Sequence, residues 1–389
     1  MGYLRKNGSK GIRNYILVVY TVECASFVAG QIKLRSNNSN VQLIGSGGCA
    51  PNDYINAMMH RLCTHPNVGG VLVVSLGCEN LDYIALTEAV RASGRSAENI
   101  VIQEEGGTSK SINRGLELIQ SIEQETFHTP ICDMAPEELI IGTICGGSDG
   151  YSGITSNPSI GVFFDRLIAR GGIGIFEEGG ELVGCTQQMA ERSVSPIVKA
   201  EVETALKKTV TYYDEMGCGS FSLGNATGGL STIIEKSLGA YCKSGQSPIA
   251  GVIHPTEQPQ SSGLYFLDII PDGAVKWGFP NVSDNSEIVE LISCGSHIIL
   301  FSTGRGSVVG SAISPVIKIC SNTETYNHLS DDMDINAGKI LDSHATLNDI
   351  ANEIDTLVNA IIQRQPTKSE ALGHSEFFLG YKFFNNKCQ

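Results

Sequence analysis

The sequence predicts an α/β protein in which an N-terminal doubly wound parallel-sheet domain is followed by a second, larger α/β domain. Short apolar runs rich in Val and Ile alternate along the chain with helix-length segments, which is the pattern of βαβ units. The apolar runs are nearly continuous, as expected for parallel strands that are buried on both faces. A chain of 389 residues is long enough for two domains of ordinary size.

Residues 1–126 are expected to form a small Rossmann-like or flavodoxin-like domain. The predicted strands are residues 14–20, 41–44, 68–75 and 100–103. The predicted helices are residues 25–34, 53–63, 81–92 and 109–123. Because each strand is followed by a helix, neighbouring strands should run parallel, with helices on both faces of the sheet. Two prolines and no clear periodicity in residues 126–137 indicate a domain boundary.

Residues 137–389 are expected to form the larger α/β domain, which carries glycine-rich loops. Its predicted strands are residues 139–144, 172–176, 264–267, 297–301 and 316–319. Its predicted helices are residues 159–170, 194–213 and 347–364. Residues 217–229 and 302–310 are so rich in glycine that they are expected to be irregular.

The composition and charge argue against several kinds of binding partner. The net charge is −14 and there is no block of five basic residues, so a nucleic-acid partner is not expected. No apolar run reaches the ~18 residues that span a membrane, and no apolar signal region follows the N-terminus, so we expect a cytoplasmic protein without a membrane partner. The 12 cysteines form no C-x-x-C pair, which argues against a zinc ribbon or a small disulfide framework.

Four predicted strands lead into glycine-rich loops that carry polar or thiol side chains. These loops are residues 45–49, 77–80, 145–150 and 302–307. Ligands bind beyond the carboxyl ends of parallel strands, and glycines let backbone N–H groups approach an anion. Each loop alone also fits a simple tight turn, but four together favour a shared site for a small anionic substrate. The substrate-binding candidates in the two later loops are Gly146, Gly147, Gly304, Gly306 and Ser307.

The loop at residues 304–310 has two further interpretations. Its glycine spacing is similar to that of a dinucleotide-binding loop, but Pro315 and a predicted strand follow where a helix would be required. Arg305 is a candidate for binding a substrate carboxylate through two hydrogen bonds. Its structural alternative is an arginine that caps nearby carbonyl groups.

Several side chains are candidate metal ligands or acid–base groups. Cys49, Cys78 and Cys145 each follow a predicted strand, so they could converge on iron or an iron–sulfur cluster, or each could be an ordinary buried thiol. Asp332 and Asp334 belong to an acidic run that fits a hard cation or a solvated turn. Glu178 follows a strand beside Glu181, where a carboxylate can bind a metal or act as a general base; an isolated surface pair is the alternative.

The order of these motifs resembles the altronate and galactarate dehydratases, a family that includes the large subunit of sulfolactate sulfo-lyase. The most specific segments are Cys-Gly-Gly-Ser-Asp at 145–149, Thr-Gly-Arg-Gly-Ser at 303–307 and Asp-Asp-Met-Asp-Ile-Asn at 331–336. Gly-Ile-Arg-Asn at 11–14, Gly-Cys-Glu-Asn at 77–80 and Glu-Lys-Ser-Leu-Gly at 235–239 extend the resemblance over nearly the whole chain.

The resemblance implies β-elimination of water from a sugar acid or another 2-hydroxy acid, giving a 2-keto-3-deoxy product with the help of Fe²⁺, Mn²⁺ or another divalent cation. The residues that it carries over as catalytic are Glu178, Arg305, Asp149, Ser148 and Asn225, and it adds Arg13 to the substrate-binding set. Elimination of sulfite and a non-catalytic role for the chain remain alternatives.

The sequence departs from the family pattern at positions that bear on the substrate. Ala226 stands where the family has a lysine, and Ser46 stands near the first glycine–cysteine loop, where the family tends to have a histidine. Both changes suggest a divergent substrate. The chain begins at the large part of the family architecture, so we expect that either a separate small subunit supplies the N-terminal domain or the protein lacks the function of that domain. A homo-oligomer is also expected, since most soluble assemblies are symmetric.

Overall fold

The computed structural model describes residues 1–272, 283–380 and 382, which divide into two compact units. The first unit combines Met1–Met134 with Ser311–Ser314 and the described residues from Ser375 onward. The second unit consists of Ala135–Gly310 and Pro315–His374, apart from the undescribed residues 273–282. Both are α/β structures with parallel sheets, so the predicted fold class is confirmed.

The first unit is built on a four-stranded parallel sheet with the order β4-β3-β5-β6. A small antiparallel sheet, β2-β1-β7, lies in the same unit. The strands are β1 (Gly2–Leu4), β2 (Lys10–Gly11), β3 (Tyr15–Tyr20), β4 (Val41–Gly45), β5 (Val68–Ser75), β6 (Ser96–Val101) and β7 (Ile131–Cys132). The helices are α1 (Glu23–Ser36), α2 (Asp53–Cys63), α3 (Tyr83–Ala92), α4 (Ile102–Glu105) and α5 (Thr108–Phe127).

Apolar residues of β3 and β5 pack against α1 and α5 to form the core of this unit. The sequence placed its fourth strand at 100–103, but β6 begins at Ser96 and the chain turns into α4 at Ile102. Polar residues at the start of β6 hid the strand, because they interrupt the apolar run. The strands of the antiparallel sheet were also not predicted, since two or three residues are too few to show a periodicity.

The second unit is built on a seven-stranded parallel sheet with the order β10-β11-β9-β8-β12-β13-β14. Its strands are β8 (Ile140–Cys145), β9 (Ile173–Phe176), β10 (Ile249–Ile253), β11 (Gly263–Leu267), β12 (Ile298–Thr303), β13 (Val316–Cys320) and β14 (Ile335–Asn336). Its helices are α6 (Ser156–Ala169), α7 (Thr186–Glu191), α8 (Pro196–Met216), α9 (Leu223–Thr227), α10 (Ile233–Lys243), α11 (Asp284–Ser293), α12 (Thr323–His328), α13 (Lys339–Asp342), α14 (Leu347–Ile362) and α15 (Lys368–Leu372).

Strand β8 lies at the topological switch point of this sheet. The chain proceeds from β8 to its neighbour β9 on one side and later returns to β12 on the other side. At such a point the loops after the two flanking strands diverge and leave a crevice at the carboxyl edge of the sheet. The loops that follow β8, β9 and β12 therefore share the position where ligands bind in open α/β sheets.

Parts of the second unit differ from the sequence-based expectation. Residues 217–229 were expected to be irregular, but they contain the short helix α9, which begins with a reciprocal capping box between Ser222 and Asn225. Helices α10 and α11 and strand β10 were not predicted. In the described part of the chain, no helix is long and apolar enough to cross a membrane.

Candidate functional site

A buried thiol and a buried carboxylate meet at the carboxyl edge of the larger sheet. Cys145 is the last residue of β8, and its Sγ donates a hydrogen bond to Oε2 of Glu178 at 3.2 Å. Glu178 follows β9 and is 1% exposed, and its other oxygen pairs with Nζ of Lys243 from α10, which is 0% exposed. The strand ends and α10 therefore hold a thiol, a carboxylate and an ammonium group in direct contact.

A second ion pair lies beside the first. Nζ of Lys236, also on α10, lies 3.0 Å from Oε1 of Glu181. Ser220 donates its hydroxyl to the same carboxylate oxygen, and the hydroxyl of Ser237 donates to the Glu181 carbonyl. Lys236 and the Ser220 hydroxyl lower the pKa of Glu181 despite its burial, so this carboxylate is ionised at neutral pH.

Acidic side chains outnumber basic ones in this region. Burial and the nearby Glu181 and Glu178 raise the pKa of Glu177 well above its usual range. Burial and Glu177 raise the pKa of Glu287 in the same way. Burial also raises the pKa of Asp284 to about 6, with Glu181 adding to the effect. Buried carboxylates that repel one another in this way are typical of functional sites.

Three of these side chains are arranged as metal ligands. Among the described residues, Cys145, Glu178 and Glu181 are the one group of three or more ligand-type side chains whose ligand atoms all lie within 4.8 Å of one another. Two carboxylate oxygens and one sulfur suit a borderline divalent ion. Burial, together with Glu178, raises the pKa of Cys145 to about 12, so a cation would have to displace the thiol proton. The surplus of buried carboxylates supplies the charge that a cation would neutralise, so the donor set fits such an ion.

Asp149 organises the loop after β8. Its Oδ1 accepts hydrogen bonds from the N–H and hydroxyl of Ser152 at 2.8 and 2.7 Å, and from the hydroxyl of Ser321 at 2.8 Å. Its Oδ2 accepts a hydrogen bond from Nδ2 of Asn322 at 3.0 Å. The carboxylate thus ties the β8 loop to the end of β13. With both oxygens engaged, Asp149 suits a positioning role better than proton transfer.

Asn225 joins α9 to the same loop. Its Nδ2 donates to the backbone oxygen of Ser148 at 3.0 Å, and its Oδ1 accepts from the N–H of Ser222 at 2.9 Å. Arg305, in the loop after β12, is exposed and donates to the Gly224 carbonyl at 2.8 Å. The predicted residues Ser148, Asn225 and Arg305 therefore lie in one connected set of loops. The contact of Arg305 with the Gly224 carbonyl is the one expected of an arginine that caps nearby carbonyl groups.

The loop glycines permit two close approaches. A Cβ at Gly146 would lie 2.1 Å from Oδ2 of Asp284, and one at Gly304 would lie 2.1 Å from Cγ of Asp149. The remaining loop candidates are Gly147 and Gly306, which have positive φ, and Ser307, whose hydroxyl accepts from the N–H of Val309. A cavity of about 230 Å³ opens beside this region and is lined by residues that include Cys145, Asp149 and Lys236.

The other predicted candidates belong to the first unit or to other segments of the second unit. Arg13 is buried in the first unit, where its Nη1 donates to the Ile12 carbonyl at 3.1 Å. Cys49 and Cys78 are exposed in the first unit, whereas Cys145 is buried in the second. Both oxygens of Asp334 accept backbone N–H groups, those of Lys318 and Lys368. Neither Asp332 nor Asp334 belongs to a metal-ligand group of three among the described residues.

Sequence reasoning did not assign a role to either lysine of α10 or to Glu177, Asp284 and Glu287. Lys236 lies in the Glu-Lys-Ser-Leu-Gly segment that supported the family resemblance. That position in a family motif could have identified it as a candidate site residue. Lys243 is seven residues further on and therefore lies on the same face of the helix, two turns away. That spacing became informative only once α10 was known to be a helix.

Comparisons with known proteins support the family resemblance that the order of the motifs suggested. A family model described as D-galactarate/altronate dehydratase, C-terminal, matches residues 136–384. A second model, described as D-galactarate dehydratase/altronate hydrolase, second domain, matches residues 2–126.

Three relatives illustrate the similarity. Altronate dehydratase of Bacillus subtilis is 31% identical over 364 residues, covering 87% of this chain and 68% of that protein. Altronate dehydratase of Escherichia coli is also 31% identical, covering 92% of this chain and 72% of that protein. The β subunit of (2R)-sulfolactate sulfo-lyase from Chromohalobacter salexigens is 28% identical, covering 97% of this chain and 96% of that subunit.

Proposed function

The chain belongs to the D-galactarate/altronate dehydratase family, and from this premise we propose that it is a metal-dependent hydro-lyase acting on a sugar acid or another 2-hydroxy acid. The expected product is a 2-keto-3-deoxy acid. The observation that carries the proposal is the buried group of Cys145, Glu178 and Glu181 at the switch point of the larger sheet.

The chemistry of the reaction explains why this group matters. The proton next to a carboxylate is weakly acidic, so its removal requires stabilisation of the negative charge that develops on the substrate. Cys145, Glu178 and Glu181 would hold a divalent cation, for which Fe²⁺ and Mn²⁺ are the expected species, and a bound ion would supply that stabilisation. Lys236 lowers the pKa of Glu181, whereas burial raises the pKa of Glu178 and the ion pair with Lys243 opposes that rise.

Substrate binding is assigned to the loops after β8 and β12. An exposed arginine can bind a carboxylate through two parallel hydrogen bonds, and Arg305 is exposed at the edge of the crevice. Gly146 and Gly304 let the Asp284 and Asp149 carboxylates pack against the backbone of these loops. Asp149 and Asn225 hold these loops in place through the hydrogen bonds described above, so their role is positioning.

Proton abstraction is assigned to Asp284. Its carboxylate packs over the Gly146 backbone, at the start of the β8 loop, and it is half-buried at the first residue of α11. Glu178, which the sequence suggests for this role, is 1% exposed, and its two oxygens are engaged by Lys243 and Cys145. The more open carboxylate is the better placed to reach a substrate.

The test combines metal content with turnover. Anaerobically purified protein, loaded with Fe²⁺ or Mn²⁺, is incubated with aldonates, aldarates and other 2-hydroxy acids while new 2-keto acid is measured. We expect metal-dependent keto-acid formation from at least one of them. Asp284→Asn should lower kcat at least about 100-fold, because a general base usually contributes a factor of that size. This variant should still bind the metal. Glu178→Gln should lose metal and activity together.

Two results would contradict parts of the proposal. A metal-loaded protein that forms no keto acid, with or without a small subunit from a family member, would contradict the hydro-lyase function. An Asp284→Asn variant with unchanged kcat would place the base at another residue and leave the rest of the proposal intact.

Elimination of sulfite is a second candidate function. It is favoured by one observation, the match to the sulfolactate sulfo-lyase β subunit over 97% of this chain and 96% of that subunit. Incubation with sulfolactate distinguishes the two, because released sulfite is measured directly. Sulfite release with no activity on sugar acids would replace the leading proposal.

The same relative supports a separate partner polypeptide. A protein named as a β subunit functions with another subunit, and this chain matches that subunit over nearly its full length. We propose that a small subunit takes part in the reaction. A rise in kcat upon addition of the small subunit, together with co-elution of both chains, is the expected result.

A further inference from the structure

Three exposed thiols stand at equivalent positions on one edge of the first unit. In the parallel sheet, Tyr20 of β3 is in register with Gly45 of β4 and with Val74 of β5. A cysteine follows each of these three residues at a distance of four positions, namely Cys24, Cys49 and Cys78. All three side chains are exposed free thiols. Because β4, β3 and β5 are adjacent, the three cysteines belong to neighbouring loops at the same carboxyl edge.

Hydrogen bonds tie the three loops together in pairs. The Ser46 N–H donates to the Tyr20 carbonyl at 2.9 Å, and the Glu23 N–H donates to the Gly47 carbonyl at 3.3 Å. The Asn80 N–H donates to the carbonyl of Cys49 itself at 2.8 Å. Each loop therefore has a direct backbone contact with another, which fixes the backbone positions of the thiol-bearing residues.

Glu79 completes this framework from within the third loop. Its carboxylate accepts hydrogen bonds from the N–H groups of Gly77 and Cys78 at 2.9 and 3.1 Å, and from the hydroxyl of Ser75 at 2.7 Å. It also accepts the hydroxyl of Thr21, which follows β3. The carboxylate thus holds the Cys78 loop closed and attaches it to the end of β3.

We propose that Cys24, Cys49 and Cys78 of the first unit bind an iron–sulfur cluster. This set replaces the grouping of Cys49 and Cys78 with Cys145, because a third thiol is supplied within the same unit. Three thiolates leave one iron of a four-iron cluster without a protein ligand and open to an oxygen ligand from solution.

The three thiols are too far apart for one tetrahedral ion. One tetrahedral ion with metal–sulfur bonds of about 2.3 Å brings its sulfur ligands to about 3.8 Å from one another. The three sulfurs here do not form a group within 4.8 Å among the described residues. In a cluster each thiolate binds a different iron, so the sulfurs stand further apart.

The surroundings suit an anionic cluster. Cys24 lies in the first turn of α1, a helix of 14 residues whose N-cap residue makes no side-chain cap hydrogen bond, so the positive end of the helix faces this region. The loop that leads to Cys49 contains three glycines, at positions 45, 47 and 48, which allow backbone N–H groups to approach cluster sulfides.

The test is anaerobic reconstitution of the full chain with ferrous iron and sulfide, followed by measurement of iron, acid-labile sulfide and absorption near 400 nm. We expect about four sulfides per chain. Cys24→Ser, Cys49→Ser and Cys78→Ser should each reduce the sulfide to below about one per chain. Cys145→Ser and the exposed Cys218→Ser are matched controls and should retain it, even if Cys145→Ser loses iron from the other site.

Acid-labile sulfide separates this proposal from the proposed function, because a divalent ion at Cys145, Glu178 and Glu181 requires no sulfide. Circular dichroism of each variant checks folding, which should be unchanged because the three thiols are exposed. The proposal is overturned if wild-type protein retains no sulfide, if Cys145→Ser abolishes the cluster, or if two of the three thiols are found in a disulfide. Binding of zinc alone, without a chromophore, would also overturn it.

Discussion

Replacement of Lys243 by Met should strongly destabilise the second unit. Lys243 and Glu178 are 0% and 1% exposed and form a direct ion pair. Met nearly preserves the side-chain volume, so the principal effect is an unpaired carboxylate next to Glu177 and Glu181. Removal of one partner from a buried ion pair costs about 3–5 kcal/mol. For a unit of this size, that corresponds to a fall in Tm of about 6–20 °C.

The assay is scanning calorimetry in the presence of a chelator, so that bound metal does not contribute to stability. Lys339→Met is the matched control, because Lys339 and Glu353 form a pair that is 42% and 41% exposed and is worth at most about 1 kcal/mol. The double variant Lys243→Met with Glu178→Gln should regain much of the loss, since no buried charge remains unpaired.

Two outcomes would refute this reasoning. If Lys243→Met melted within about 2 °C of the wild type, less than 1 kcal/mol would separate them, and the pair would not carry a buried charge. If the double variant were destabilised by the sum of the single changes, the two residues would act independently. Either result would remove the electrostatic explanation for the geometry of the crevice.

Three further predictions concern other parts of the molecule. Gly161→Ala should cost about 1–3 kcal/mol in thermal unfolding, because its Cβ would lie 2.2 Å from a carbonyl oxygen of α10, whereas Gly30→Ala, with its nearest neighbour at 3.8 Å, should be tolerated. Asp149→Asn should lower kcat and Tm together, since an amide cannot accept all of the hydrogen bonds that the carboxylate accepts; a fall in kcat with unchanged Tm would instead point to a chemical role. Cys63, whose pKa is raised by burial to about 12, should not react with a thiol reagent at pH 8 in the folded protein, whereas Cys218 should react at once; rapid modification of Cys63, mapped by mass spectrometry, would contradict its burial.

The sheets were predictable because their strands are apolar on both faces. The runs at β3, β5, β8 and β12 are nearly uninterrupted, and only a parallel sheet covered by helices accommodates such strands. The strand ends then indicated where Cys145 and the glycine loops should lie. Glu178 was predicted for the same reason, since it lies two residues after the end of β9.

The remainder of the site depends on tertiary contacts that periodicity does not encode. Lys236 and Lys243 reach Glu181 and Glu178 only because α10 packs along the loop after β9. Asp284 and Glu287 belong to α11, whose start was not predicted. The sequence also could not show that Cys145 follows a strand of one sheet, whereas Cys49 and Cys78 follow strands of another.

The division of the first unit among distant parts of the sequence has a consequence for biosynthesis. Asn67 donates to the Ile313 carbonyl at 3.1 Å, and Lys33 donates to the hydroxyl of Ser375 at 2.9 Å. Both partners leave the ribosome only after most of the second unit has been translated. The four-stranded sheet can therefore begin to form before them, but these native contacts are completed only after Ile313 and Ser375 have been translated. An expression fragment that stops at Met134 would lack these partners, so a stable version of the unit would require them to be joined back to it.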